Sequence, residues 1–190
     1  MAPRLYDEHM AISPGTHTIG PDGCTLKVNT YREGLAAKVG HDLVIEVTDW
    51  EATVEVSEDG ALGSVTLRAD PGSLEVREGH GGAKPLTDKD RNEIRKTIGD
   101  KVLGSDPITF SSSAASVDDS GRMRVEGDLT IAGNSRPASF EVMAQGDGAV
   151  GGTMQITQSD WGIKPYRGLM GALKVRDAVD IVLDARLPAA

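Results

Sequence analysis

Few side chains of this chain are candidates for a reactive or ligand-holding role, and one group is Lys164, Tyr166 and Arg167 in the run Lys164-Pro165-Tyr166-Arg167-Gly168. Lysine and arginine are the usual partners of carboxylates and phosphates, so the expected chemistry is capture of an anionic or carbonyl head group by Lys164 and Arg167. The alternative is that they are solvated charges on an acidic protein. His9, His17, His41 and His80 have neither His-x-His nor His-Glu-x-x-His spacing, and no metal site is expected from them. Cys24 is the only cysteine, which excludes an internal disulfide and a cysteine metal cluster; it reads as a buried, inert thiol. No catalytic residue, metal or cofactor is therefore expected. Thr30, Gln158 and Tyr166 are the polar side chains whose direction, inward or outward, the sequence leaves open.

The surroundings of those cations are apolar. Trp161, Ile163, Tyr166, Leu169 and Met170 fall within ten residues punctuated by Gly162, Gly168 and Gly171. Such a loop is either the mouth of a ligand site or a plug that fills the end of a barrel. Further candidates come from strands in which apolar and polar residues alternate. Trp50, Val54, Leu67, Phe110, Val125, Phe140, Met154 and Ile156 all fall on inward faces by this period of two. Periodicity gives the face and leaves open whether the interior is empty or filled by its own side chains.

Most of these residues fall in stretches that read as strands. Trp50 to Val56 alternates with one wet face, Glu58-Asp59-Gly60 turns, and Val65 to Ala69 returns. Later runs begin at Ile108, Met123, Phe140 and Met154, and Val179 to Leu187 closes the series with an apolar residue at every second position. One helix is expected over about 87–103. Thr87 and Asp90 form a capping box, Ile94, Ile98 and Val102 make one stripe, and Gly104 stops it. Before that helix the chain loosens between Glu78 and Gly82, where Gly-His-Gly-Gly carries no strand signal. Arg136-Pro137 reads as a turn whose proline ends the ladder, and His41-Asp42 as a turn in which Asp42 bonds local amides.

Several short strands, one helix and no βαβ alternation indicate a mainly β, antiparallel barrel or sandwich. At 190 residues one domain is expected, with a flexible tail at 1–16 and a domain over 17–188. The formal charge of −9, with no basic stripe, argues against nucleic acid or an anionic surface as partner. No run approaches the roughly 20 apolar residues of a transmembrane helix. The first fifteen residues lack the apolar core of a secretion signal, so a cytoplasmic location is expected. An outward Val182 leaves a homodimer open.

Three segments resemble the YceI-like family: Leu129-Thr130-Ile131-Ala132-Gly133-Asn134-Ser135-Arg136-Pro137, Ile156 through Ile163 with its Asp160-Trp161-Gly162-Ile163, and Val175-Arg176-Asp177-Ala178-Val179. The resemblance implies an eight-stranded, lipocalin-like antiparallel β-barrel whose interior holds a polyisoprenoid or related amphiphile. The front of the chain departs from the family pattern, with Gly20-Pro21-Asp22-Gly23-Cys24 in place of Asp-Pro-x-His-Ser and Arg32 in place of a histidine. The function expected is binding or sequestration of an apolar or amphiphilic small molecule. The rival is a barrel enzyme that cyclises or isomerises a polyene by shape and desolvation, for which one of Thr30, Gln158 or Tyr166 would have to face inward. A filled barrel acting as an interaction module is the third reading.

Overall fold

The computed structural model describes residues 12–59, 61–118, 120, 122–144 and 148–188. The expected tail lies outside these as far as residue 11. From Ile12 the chain is seated: Ile12 is buried and the amide of Ser13 donates to the carbonyl of Pro188. The turn positions Gly60, Asp119, Gly121 and Gly146, and His9, also lie outside the described residues.

The strands are β1 (Gly15–Ile19), β2 (Thr25–Thr30), β3 (Arg32–Glu33), β4 (His41–Val47), β5 (Trp50–Val56), β6 (Leu62–Ala69) and β7 (Leu74–Gly81) in the first half. After the helix α1 (Asp88–Thr97) come β8 (Ile108–Val117), β9 (Arg122–Ile131), β10 (Asn134–Ala144), β11 (Ala149–Thr157), β12 (Arg167–Gly168), β13 (Leu173–Val175) and β14 (Ala178–Arg186). Eleven of them form one antiparallel sheet in the order β1-β5-β6-β8-β9-β10-β11-β14-β2-β4-β7, and β12-β13-β3 form a small second sheet. The large sheet curls strongly into a half-barrel, so the fold is the expected mainly β, lipocalin-like one, with more strands than eight.

The curl follows from the alternation. In β9 every second residue from Met123 to Ile131 is buried while its neighbours are wet, and β5 shows the same pattern from Trp50 to Val56. A sheet with one apolar face must bury it, and here it does so against itself. The two ends of the sheet meet inside: Trp50, Ala52 and Ala69 of β5 and β6 pack with Ile45, Val47, Leu74 and Val76 of β4 and β7. The corner Thr48-Asp49 carries the chain from one end to the other. Its backbone is tied by Thr48 N–H to Ser73 O at 3.1 Å and Asp70 N–H to Asp49 O at 3.0 Å.

The capping box of α1 is present in full, with the Thr87 hydroxyl accepting from the Asp90 amide and Asp90 accepting from the Thr87 amide. Beyond Thr97 the helix widens into a π-type turn, Ile98–Leu103, ended by Gly104 at φ +72°. The helix lies beside the unpaired edge of β7, where Arg91 donates to the carbonyls of Val76 and Arg77, both at 2.8 Å. That covers an edge which would otherwise offer its carbonyls to another strand.

Three local expectations are corrected. The Gly-His-Gly stretch is not loose: β7 runs through Gly81, paired with His41 and Asp42 of β4, because the ladder supplies the order that the glycines lack. His41-Asp42 accordingly lies in β4, although Asp42 does accept from the Arg32 amide at 2.8 Å. Pro137 does not end a ladder. It sits inside β10 opposite Asp128, and the turn is Ala132-Gly133, both at positive φ. β10 pairs with β11 only over Val142–Ala144, so Pro137 occupies a stretch paired on one side, where a missing N–H breaks nothing.

Candidate functional site

Inside the curl lies a cavity of about 190 Å³. All eight side chains expected to face inward line it: Trp50, Val54, Leu67, Phe110, Val125, Phe140, Met154 and Ile156. They come from six strands spread around the sheet, and Leu26, Val28, Leu129, Ile131, Ile181 and Leu183 complete the wall. The Phe110 and Phe140 rings meet edge to face, with centroids 5.1 Å apart. Val125, 1% exposed, also lines the cavity.

The wall is almost wholly apolar. Glu141 and Thr153 border the cavity, but both are exposed, and the Glu141 carboxylate pairs outward with Arg122 at 3.0 Å. They mark the place where β10 and β11 part beyond their short pairing. Farther down, that parting is bridged by Asn134 Nδ2 donating to Trp161 O at 3.0 Å and Arg136 Nε donating to Asp160 O at 3.1 Å. One buried polar atom of Trp50 is an orphan: its indole N–H has no hydrogen-bond partner among the described residues.

The loop after β11 divides. Trp161 and Ile163 are buried and join the cluster of Phe110, Val125, Leu129, Ile131, Ile156 and Val179. The Trp161 indole donates to Leu129 O at 2.9 Å, and Gly162 takes φ +73° to let the chain turn beneath it. These two residues plug the end of the barrel, outside the cavity wall. Tyr166, Leu169 and Met170 are exposed and are not brought to the cavity, and neither are Lys164 and Arg167, which are also exposed. The physical reason is topological. After Ile163 the chain leaves the large sheet and pairs through β12 and β13 with β3.

None of the three polar residues of open direction lines the cavity. Gln158 is buried but donates its amide to Arg176 O at 2.8 Å, Thr30 pairs opposite Leu43, and Tyr166 is exposed. Cys24 is buried. The histidine rings are engaged singly: His17 with Ser13 O, His41 with Lys84 O, His80 with Glu78.

What the sequence did not reveal is the loop between β3 and β4, where Leu35 and Val39 are exposed. A signal was present in the run Gly34-Leu35-Ala36-Ala37, apolar and without a charge. The Ala36 amide donates to Ala172 O at 2.9 Å, so this loop and the one carrying Met170 are joined. Tyr31 fastens both to the wall. Its hydroxyl donates to Asp180 of β14 at 2.5 Å, its ring lies under the Arg176 guanidinium at 5.7 Å, and the Arg176 amide donates to its carbonyl at 2.7 Å. The Asp180 carboxylate, aided by partial burial, raises the Tyr31 pKa above its ordinary value.

Among the described residues no helix is long and apolar enough to cross a membrane. In fold the chain is similar to BcnA of Burkholderia cenocepacia, with TM-score 0.58 and 20% identity over 84% of this chain and 94% of that one. The YceI protein of Campylobacter jejuni is more distant, with TM-score 0.46 and 14% identity over 76% of this chain and 84% of that one. No curated protein matches the chain in sequence. The sequence profile of the YceI-like domain matches residues 26–187, most of the chain and all of the cavity wall from β2 onward, and the chain belongs to the YceI-like family.

Proposed function

We propose that this protein binds one slender apolar or amphiphilic molecule, of polyisoprenoid type, inside the barrel, and that it carries or sequesters that molecule without transforming it. The observation that carries this reading is the cavity wall, whose inward side chains are aliphatic, aromatic or methionine. Each methylene moved there from water contributes ~0.8 kcal/mol, so a short tail is held firmly with no charged contact. Size sharpens the reading. An apolar cavity of ~150 Å³ accepts a benzene-sized guest, so about 190 Å³ takes one or two isoprene units. A longer chain leaves the cavity, and the parting of β10 from β11 beside Glu141 and Thr153 is the route we assign to it.

The cyclising enzyme is the weaker reading, since Thr30, Gln158 and Tyr166 all lie outside the wall.

The test is native mass spectrometry of protein purified from its own host, followed by extraction and lipid identification. About one isoprenoid-like molecule per chain, recovered unchanged after incubation, is the expected result. A cyclised product would replace the carrier by the enzyme. An empty protein that no isoprenoid stabilises would overturn both.

A further inference from the structure

Of the six large apolar side chains most exposed among the described residues, five lie on two joined loops at the rim: Leu35, Val39, Tyr166, Leu169 and Met170. Leu35 and Met170 are almost fully exposed, at 99% and 107%. The loops are held together by the pairing of Glu33 with Lys174 and Arg32 with Val175, and by the bond from Ala36 to Ala172. They therefore present their tips as one platform. Leu169 and Met170 stand at φ +49° and +55°, a conformation that residues other than glycine seldom adopt, and both side chains are exposed.

The charge of this platform opposes that of the whole. From Gly34 to His41 and from Trp161 to Arg176 there is no Asp or Glu, in a chain that has 29 of them. The same two segments hold Lys38, Lys164, Arg167, Lys174 and Arg176. The acids at their borders are accounted for in part: Asp42 takes the Arg32 amide, Asp177 takes the Ser159 amide and hydroxyl, and Glu33 stands opposite Lys174. Arg176 lies over Tyr31, which leaves Lys38, Lys164 and Arg167 as exposed cations around the apolar tips.

We propose that this platform docks the protein on an anionic lipid surface. Leu35, Leu169 and Met170 enter the headgroup boundary, while Lys38, Lys164 and Arg167 meet lipid phosphates. Apolar tips ringed by long cations are the chemistry of interfacial anchoring. A stable protein interface wants about 800 Å² on each side, more than a few projecting side chains supply. The net charge of −9 resides elsewhere on the molecule, so an anionic surface repels the body and attracts the platform, which fixes the orientation. The inference rests on the proposed cargo, because a bilayer is where an apolar chain is collected and delivered.

The experiment is vesicle co-flotation with phosphatidylcholine alone and with about a third phosphatidylglycerol. The wild type is compared with a Leu169→Asp/Met170→Asp variant and a Lys164→Glu/Arg167→Glu variant. Wild type is expected on the anionic vesicles only, with partitioning at least ~10-fold weaker in each variant. All four side chains are exposed, so melting temperatures should match, and loading with an isoprenoid delivered from solvent should be unchanged. That last readout separates failure of docking from failure of the cavity. Equal partitioning of wild type and variants, or none onto anionic vesicles, overturns the proposal. So does a concentration-dependent dimer that Leu169→Asp/Met170→Asp abolishes while vesicles are ignored, which would make the platform a self-association face.

Discussion

Trp161 and Met170 stand in the same glycine-punctuated loop, both large and both apolar, and they finish on opposite sides of the protein's surface. Trp161 is 5% exposed and Met170 107%. Residue type does not separate them; what lies under the backbone does. At Trp161 the chain is still fastened beneath the barrel, by Asn134 and Arg136 from β10 and by Asp177, which binds Ser159. By Met170 it has passed to the small sheet with β13 and β3, and no face of the large sheet covers it. One loop thus contains a plug and a projection, and the two make different demands on the rest of the molecule.

Stability is the hardest way to break that contrast. Trp161→Ala removes a buried ring and the indole's bond to the Leu129 carbonyl, so unfolding free energy should fall by about 3–5 kcal/mol in urea titration. Met170→Ala should stay within about 0.5 kcal/mol of wild type. Similar losses in the two variants would mean that both residues are covered in solution, and the distinction between plug and projection would go.

Next in size is the contrast between wall and rim in ligand binding. Met154→Asp would bury a carboxylate against the guest, a costly placement without a partner. Affinity for an isoprenoid alcohol should drop about 100-fold, roughly 2.7 kcal/mol, in calorimetric titration. Lys164→Glu in the same titration should change it less than twofold, because that side chain is exposed and away from the cavity. Comparable losses at the two sites would restore Lys164 as a head-group contact.

This is also where the sequence was most and least informative. The wall was legible because a strand has only two faces, and alternation from Trp50 through Val56 or Met123 through Ile131 assigns every residue to one of them. The helix was legible because Thr87 and Asp90 fix its start within a single turn. The loop was not, because six of its residues from Lys164 to Leu169 follow no period, and they are placed through β13, whose other partner is β3, more than a hundred residues earlier in the chain. Pro137 misled for the opposite reason. A proline normally ends a ladder, but the parting of β10 from β11 is a long-range fact that excuses it. The orphan N–H of Trp50 is likewise invisible in sequence, since being unpaired depends on everything around it.

That orphan sharpens the picture of the wall. Trp50→Phe deletes the unpaired donor while keeping the ring, so the empty protein should be unchanged or more stable by up to about 1 kcal/mol. Urea titration of the empty protein beside wild type reads that change. A loss of stability like that of a core truncation would mean that the indole N–H has a partner in solution.

The smallest expected effect concerns the tie between rim and wall. In Tyr31 the phenol is held neutral chiefly by its bond to the Asp180 carboxylate, then by burial and by the charges of Asp180 and Asp42, with Arg176 opposing. Its pKa is raised on folding, so the stability it contributes is complete below the ordinary tyrosine value of about 10 and is lost as pH rises through the folded value. Tyr31 is only half-buried, and solvent screening holds the contribution below about 1 kcal/mol. Wild type should therefore exceed Tyr31→Phe in stability at pH near 7, and the gap should close above about pH 10. The protection factor of the Arg176 amide, whose N–H binds the Tyr31 carbonyl, should fall over the same interval while those of β9 amides do not, the protection factor dividing out the base-catalysed rise common to all amides. A gap that persisted at high pH would show that the ring stacked under Arg176, and not the hydroxyl on Asp180, is what fastens the rim.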